Sequence, residues 1–194
     1  MFMNGEIPGF LRYLNNISPL SEGAQAALIP LLRVEGIPAK HTLQAINSSC
    51  KTLYFIQEGA ARIYYFKDDK DVTEYFALSQ SMIIRAESLF SGLPTVKGIE
   101  TILPSTIISI PAHFFFKTFS EWPEIERLFH LLIRASYLET LVRLEQLQFN
   151  TAHERYQKLL EASPELVQKI PLKHIASFLG ITQVSLSRIR ADLR

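Results

Sequence analysis

The chain has 194 residues and a single cysteine, Cys50. One cysteine excludes a disulfide framework and any multi-cysteine zinc or iron–sulfur site. Together with the absence of an export signal it places the protein in the reducing cytoplasm. Residues 1–14 carry Glu6 and Arg12 but no basic stretch ahead of an apolar one, unlike a signal peptide. Long hydrophobic runs are also missing. The most apolar segment, Thr101 to Phe116, is broken by Pro104 and Pro111 and contains His113, which argues against a membrane partner. The eight glycines form neither a GxGxxG fingerprint nor a P-loop, and there is no GxSxG elbow. The five histidines make no HxxxH pair, so neither a metal site nor a cofactor is indicated. The chain reads as a non-enzyme. Charge of one sign is lacking too, with a net of +1, while 47% hydrophobic and 11% aromatic residues exclude disorder.

What is present changes character along the chain. Residues 1–40 read as helical, with Ser21 as a cap before Ala24, Ala27, Leu28, Leu31 and Leu32. From about 41 to 111 the segments are short and rich in Tyr, Phe, Ile and Thr. Strands are expected at Leu53–Ile56, Ala61–Phe66, Val72–Phe76, Met82–Ile84, Ile99–Leu103 and Thr106–Ile110. The charge run Lys67–Asp71 reads as a solvated hairpin turn. So many strands without intervening helices suggest a sandwich or jelly roll. Phe114, Phe115, Phe116, Phe119 and Trp122 are expected to pack where this barrel meets the next helix. That helix starts at Pro123 and runs unbroken to Phe149. Leu128, Leu131, Ala135, Leu138, Val142 and Glu145 step by three or four along it, close to a heptad seam, and Leu132, Leu141 and Leu144 widen the stripe. A two-faced helix of this kind suits packing on its own barrel and on a second copy of itself. Thr151 to Glu154 has capping-box spacing, which sets a hinge between Phe149 and Ala152. The expected units are 1–122, a sensor domain, 123–149, a dimerisation helix, and 150–194, a small helical domain.

The sharpest motif lies in that last unit. Ile175 and Leu179 share one helix face, Ala176 leaves room for a crossing helix, and Gly180 suits a left-handed helix end. Ile181 plugs the turn and Thr182 can cap a second helix, which turns Leu186, Ile189 and Leu193 inward. This is the pattern of a helix-turn-helix. The outer face offers Gln183, Ser185, Ser187, Arg188 and Arg190. Gln can pair with an adenine edge and Arg with guanine, while Thr182 and the serines suit phosphate oxygens near the helix start. Residues 151–194 hold seven Lys or Arg against four Asp or Glu, a weak bias toward an anionic partner.

The whole chain resembles the Crp/Fnr family of bacterial transcription regulators. Leu53 to Tyr64 resembles the family's strand–Gly–strand signature. Ile175 to Thr182 with Ser187-Arg188-Ile189 resembles its DNA-binding signature, the more specific of the two. The resemblance covers about residues 10–193. It implies an α+β protein with an N-terminal cyclic-nucleotide-binding-like β jelly roll, a long dimerisation helix and a C-terminal all-α helix-turn-helix domain.

Three departures from the family pattern stand out. The positions that offer Arg, Glu and Arg to bases in the family fall on Gln183, Val184 and Arg188, so half-site preference should differ. The chain stops at Arg194 without the family's usual β-hairpin wing, as in a shorter variant resembling the Bacteroidetes branch or in a weakened binder. In the phosphate cassette Glu87 stands where the family has Glu, but Ala86 replaces Gly and Thr95 occupies the Arg position. Arg85 and Lys97 are the nearest cations, and neither is at the family's place. A buried phosphate without a positioned cation is poorly compensated, which argues against ordinary cyclic AMP binding. Arg85, Glu87, Ser88, Thr95 and, on the long helix, Thr140 are the candidate residues for another small-molecule effector; a plain surface threonine is the competing reading of Thr140. The function expected is a dimeric, cytoplasmic, DNA-binding transcription regulator. The alternative is a ligand-binding or protein-interaction module with a vestigial helix-turn-helix.

Overall fold

The computed structural model describes residues 5–192. Leu193, expected on the inner face of the last helix, lies outside the described residues. Helices α1 (Glu6–Ile17) and α2 (Glu22–Leu28) open the chain, and Ser21 caps α2 by accepting the Ala24 N–H at 3.2 Å. Eight strands follow: β1 (Arg33–Ile37), β2 (Thr42–Gln44), β3 (Thr52–Glu58), β4 (Ala60–Lys67), β5 (Lys70–Leu78), β6 (Ser81–Ile83), then, after α3 (Ala86–Ser91), β7 (Gly98–Thr101) and β8 (Ser105–Pro111). The helical reading of residues 1–40 is thus corrected at its end, where β1 pairs antiparallel with β8. β1 is an edge strand with a glycine next to its last residue, and it shows no apolar alternation that would announce it.

The strands form two four-stranded antiparallel sheets, ordered β1-β8-β3-β6 and β2-β7-β4-β5. Ile56, Ile63, Ile83, Ile99 and Ile107 fill the space between them. The first sheet is buried on its other face as well, because Leu53, Phe55, Ile108 and Ile110 pack against α1, α2 and the long helix. Two-sided burial accounts for the nearly continuous apolar runs of β3 and β8.

The β4–β5 hairpin turns through Asp68 and Asp69, both at positive φ, where Asp is among the better-tolerated residues. Asp71, read as part of a solvated turn, lies in β5 instead and grips the buried Arg62 with both carboxylate oxygens. β5 carries one residue more than β4 opposes: Ile63 pairs with Tyr75 and Tyr64 with Thr73, leaving Glu74 as a β-bulge.

After β8 come α4 (Ala112–Lys117) and the long α5 (Pro123–Phe149). Phe115, Phe116 and Phe119 surround Phe129 at centroid distances of 5.4 to 5.9 Å, so the aromatic run is packing, as expected, apart from the exposed Phe114. Four helices end the chain: α6 (Ala152–Ala162), whose capping box at Thr151 and Glu154 is formed, α7 (Pro164–Lys169), α8 (Leu172–Phe178) and α9 (Gln183–Asp192). Among the described residues no helix is long and apolar enough to cross a membrane.

Candidate nucleic-acid interface and sensor cavity

α8 and α9 meet through the residues the sequence singled out. Ile175, Ala176, Leu179 and Leu186 are buried together in one apolar cluster. Gly180 has φ of +69°. The Ile181 N–H reaches back to the Ala176 carbonyl at 3.0 Å and the Gly180 N–H to that of Ser177 at 3.0 Å, the paired closure of a Schellman motif. Thr182 then caps α9 by accepting the Ser185 N–H at 3.1 Å. Gln183, Val184, Ser187 and Arg188 are exposed together at the start of α9, while Ser185 and Arg190 are half-buried. Ser185 also shares a hydrogen bond with Thr182, at 2.9 Å.

Sequence reasoning missed how this motif is anchored. β5 is the edge of its sheet, and edge backbone groups need partners. Ser177 supplies them. Its hydroxyl accepts the Thr73 N–H at 2.8 Å and donates to the Asp71 carbonyl at 3.2 Å. Beside it the Phe178 ring lies 4.9 Å from Phe76, and the Arg143 guanidinium stacks over its other face at 3.7 Å. Arg143 donates to the Phe178 carbonyl at 3.0 Å, and Arg155 donates twice to that of Leu179. The carbonyls left over at the end of α8 are thereby satisfied by two arginines.

Between the barrel and α5 is a cavity of about 510 Å³. Arg85, Glu87 and Thr140 line it. Arg85 is only 6% exposed; it donates to Glu74 at 2.9 Å and pairs with Glu87. Lys97 pairs with the other oxygen of Glu74, and the Thr95 hydroxyl donates to Glu87 at 3.1 Å. Burial would raise the Glu87 carboxyl, but the hydrogen bond and charge of Arg85 outweigh it and hold the group below its usual range. The structure therefore brings Arg85, Glu87 and Thr95 into one network, with Thr140 across the cavity. Ser88 points elsewhere: its hydroxyl accepts the Cys50 N–H and donates to the Leu93 carbonyl. Cys50 is buried, and burial pushes its thiol up. Glu74 was not foreseen, because only the bulge turns it toward Arg85.

The outer half of α5 is bare. Leu138 and Val142 are 53% and 52% exposed, and Tyr137, Leu141, Leu144 and Phe149 join them. Leu128, placed on the same seam by spacing, is fully buried against the protein's own α1–α4 layer. The exposed stripe thus begins about one turn later than the sequence suggests.

These two sheets, the long helix and the terminal helix pair recur in known structures. A protein described as a transcriptional regulator of the Crp/Fnr family from Eubacterium rectale superposes with a TM-score of 0.72 at 17% identity, over 93% of this chain and 85% of that one. This chain has the Crp/Fnr fold. FixK2 from Bradyrhizobium japonicum matches with a TM-score of 0.71 at 19% identity, over 84% of each chain. The c-di-GMP-responsive global regulator CLP of Xanthomonas campestris matches with 0.69 at 15%, over 89% of this chain and 91% of that one. No protein-family model and no curated protein sequence matches the chain, so the likeness is one of structure.

Proposed function

We propose that this protein is a dimeric, cytoplasmic DNA-binding transcription regulator of the Crp/Fnr type. The observation that carries the reading is α9: a capped helix on a tight glycine turn, with Gln183, Val184, Ser187 and Arg188 exposed at its N-terminal end. That is the end a recognition helix presents to base edges. Thr182 and Ser185, with Arg190 further along, would hold phosphates, and Gln183 and Arg188 would read bases. The division of labour follows the chain, with 1–122 as sensor, 123–149 as dimer helix and 150–194 as reader. The bare stripe of α5 supports dimerisation through Leu138, Leu141 and Val142.

The barrel cavity supports a sensor role for an effector other than cyclic AMP bound in the usual way. Arg85 already carries Glu74 and Glu87, so a cyclic phosphate would have to displace a carboxylate to reach it. Thr95 offers no cation in compensation.

The test is selection of bound sequences from a random DNA pool, with and without cyclic AMP. The expected result is a palindrome with half-sites about one helical turn apart, enriched equally in both conditions. Arg188→Ala should then lose about 1–3 kcal/mol of discrimination at one base position. No enrichment would favour a repurposed module, and enrichment only with cyclic AMP would overturn the reading of the cavity.

A further inference from the structure

Beyond the barrel cavity lies a second space of about 350 Å³, closed by β5, α5, α6 and the end of α8. The two share Tyr75, Ser81, Glu139, Thr140 and Arg143 as a common wall. Phe76, Leu78, Leu147 and Leu159 give the second space apolar sides. Its cations are Arg143, Arg155 and Lys158. Arg143 bonds the Phe178 carbonyl, Arg155 the carbonyls of Leu179 and Asn150, and Lys158 the Asn150 side chain at 3.3 Å. Among the described residues none of the three forms an ion pair, whereas Arg62, Arg85 and Lys97 all do. The carboxylate at the shared wall, Glu139, accepts the Tyr75 hydroxyl at 3.2 Å.

The half-buried Arg143 and Arg155 and the exposed Lys158 face one small space whose lining holds a single carboxylate, Glu139 at the shared wall, which leaves a net positive arrangement. Partial burial of a charge is costly unless a counter-charge arrives. Burial pushes the Arg143 pKa down to about 10, although Glu74 and Glu139 pull it the other way. A bare inorganic anion would leave the apolar walls unfilled. A neutral apolar molecule would leave the cations uncompensated. The volume lies at the low end for a ligand pocket, which limits the occupant to a small molecule.

We propose that this inter-domain cavity is a second ligand site, for an organic monoanion with a short apolar body, of the class of medium-chain carboxylates. Its head group pairs with Arg143, Arg155 and Lys158, away from Glu139, and its apolar body lies along Phe76, Leu78, Leu147 and Leu159. The walls come from the barrel, the long helix and the helices on both sides of the α7 turn, so the occupant braces the helix-turn-helix against the barrel. A ligand that binds this arrangement better than an opened one stabilises it by that difference. The site stands whether or not the chain reads DNA.

The experiment is calorimetric titration of the full chain with octanoate, with octanol and inorganic phosphate as comparisons, alongside thermal melting. Saturable octanoate binding that raises the melting temperature is expected, with octanol and phosphate at least about tenfold weaker. Arg143→Gln should weaken octanoate by about tenfold or more. Because Arg143 also holds the Phe178 carbonyl, two milder variants accompany it. Lys158→Gln removes an exposed cation and should weaken binding severalfold. Ala162→Phe narrows the cavity from its α6 side and should abolish binding with the fold intact. Arg85→Gln, in the barrel cavity, should change octanoate affinity by less than about twofold. The proposal is overturned if octanoate shows no saturable binding, if octanol binds as well, or if Arg85→Gln abolishes binding while Lys158→Gln and Ala162→Phe preserve it.

Discussion

The hydroxyl of Ser177, in the first helix of the helix-turn-helix, accepts the backbone N–H of Thr73 at 2.8 Å on the edge of the β barrel. One side chain thus joins the helix-turn-helix to the strand that carries Glu74 into the first cavity and Tyr75 into both. Ser177→Ala removes this acceptor and leaves the amide of the buried Thr73 without its partner. The loss should weaken docking of α8 by about 1–3 kcal/mol. Hydrogen exchange is the direct measurement: the Thr73 amide should exchange faster, while amides of β3 and β8 stay unchanged. An unchanged rate at Thr73 would mean that the hydroxyl contributes nothing to the dock.

The exposed stripe of α5 predicts a dimer that one charge can break. Leu138→Lys places a lysine at the middle of the stripe in both copies. Losing two buried leucine side chains removes about 3 kcal/mol or more from association, roughly a hundredfold in the dissociation constant. Sedimentation equilibrium should show a monomer for the variant at concentrations where the native chain is dimeric. Arg134→Lys, on the same outer face, should be nearly silent.

Two glycines with left-handed backbones should respond very differently to alanine. At Gly59, φ is +101°, and an added Cβ would lie 2.3 Å from the Ser105 hydroxyl and 2.6 Å from the Pro104 carbonyl oxygen. Strain and clash together should cost at least about 2–3 kcal/mol. At Gly180, φ is +69° and the nearest atom stands 3.9 Å away, so alanine meets only the backbone penalty of about 1–2 kcal/mol. Urea denaturation of both variants checks the order. A Gly180→Ala loss equal to that of Gly59→Ala would contradict the contact geometry.

Much of this was legible because it is local. Ala176, Gly180, Ile181 and Thr182 each sit where one short-range constraint dictates the residue type, and the Thr151–Glu154 capping box spans a single turn. The hairpin at Asp68 and Asp69 is equally local. What escaped was set by partners far along the chain. β1 and β2 are short strands at the edges of their sheets, and their pairing with β8 and β7 leaves little pattern in their own residues. Leu128 and Leu138 lie on one heptad seam on paper, but only the first packs against α1 and α4. Ser177 finds Thr73 across 104 positions, and Glu74 finds Arg85 only because a bulge re-aims it. No short-range signal could carry either contact.

His174 makes the stability of this dock depend on pH. It lies in α8, is 8% exposed, and is influenced by Arg62 and Asp71 from the barrel and Lys173 from its own helix. Burial pushes its pKa down to about 4; the charge of Arg62 adds to this, Asp71 opposes it, and Lys173 contributes least. In the unfolded chain an imidazole titrates near 6.5. Between those two values the unfolded state binds a proton that the folded state refuses, so unfolding free energy rises with pH across that window. The stabilisation is complete above about pH 6.5 and is lost progressively on acidification toward 4. Asp71 acts in the same direction further down: burial raises its carboxyl, but Arg62 more than compensates and holds it below 3.8, so its share disappears only at lower pH. Urea unfolding should therefore weaken by about 2 kcal/mol between pH 7 and pH 5. In His174→Gln that slope should flatten, while the steeper loss below pH 4 persists. An equally steep decline between pH 7 and pH 5 in the variant would assign the effect to another group.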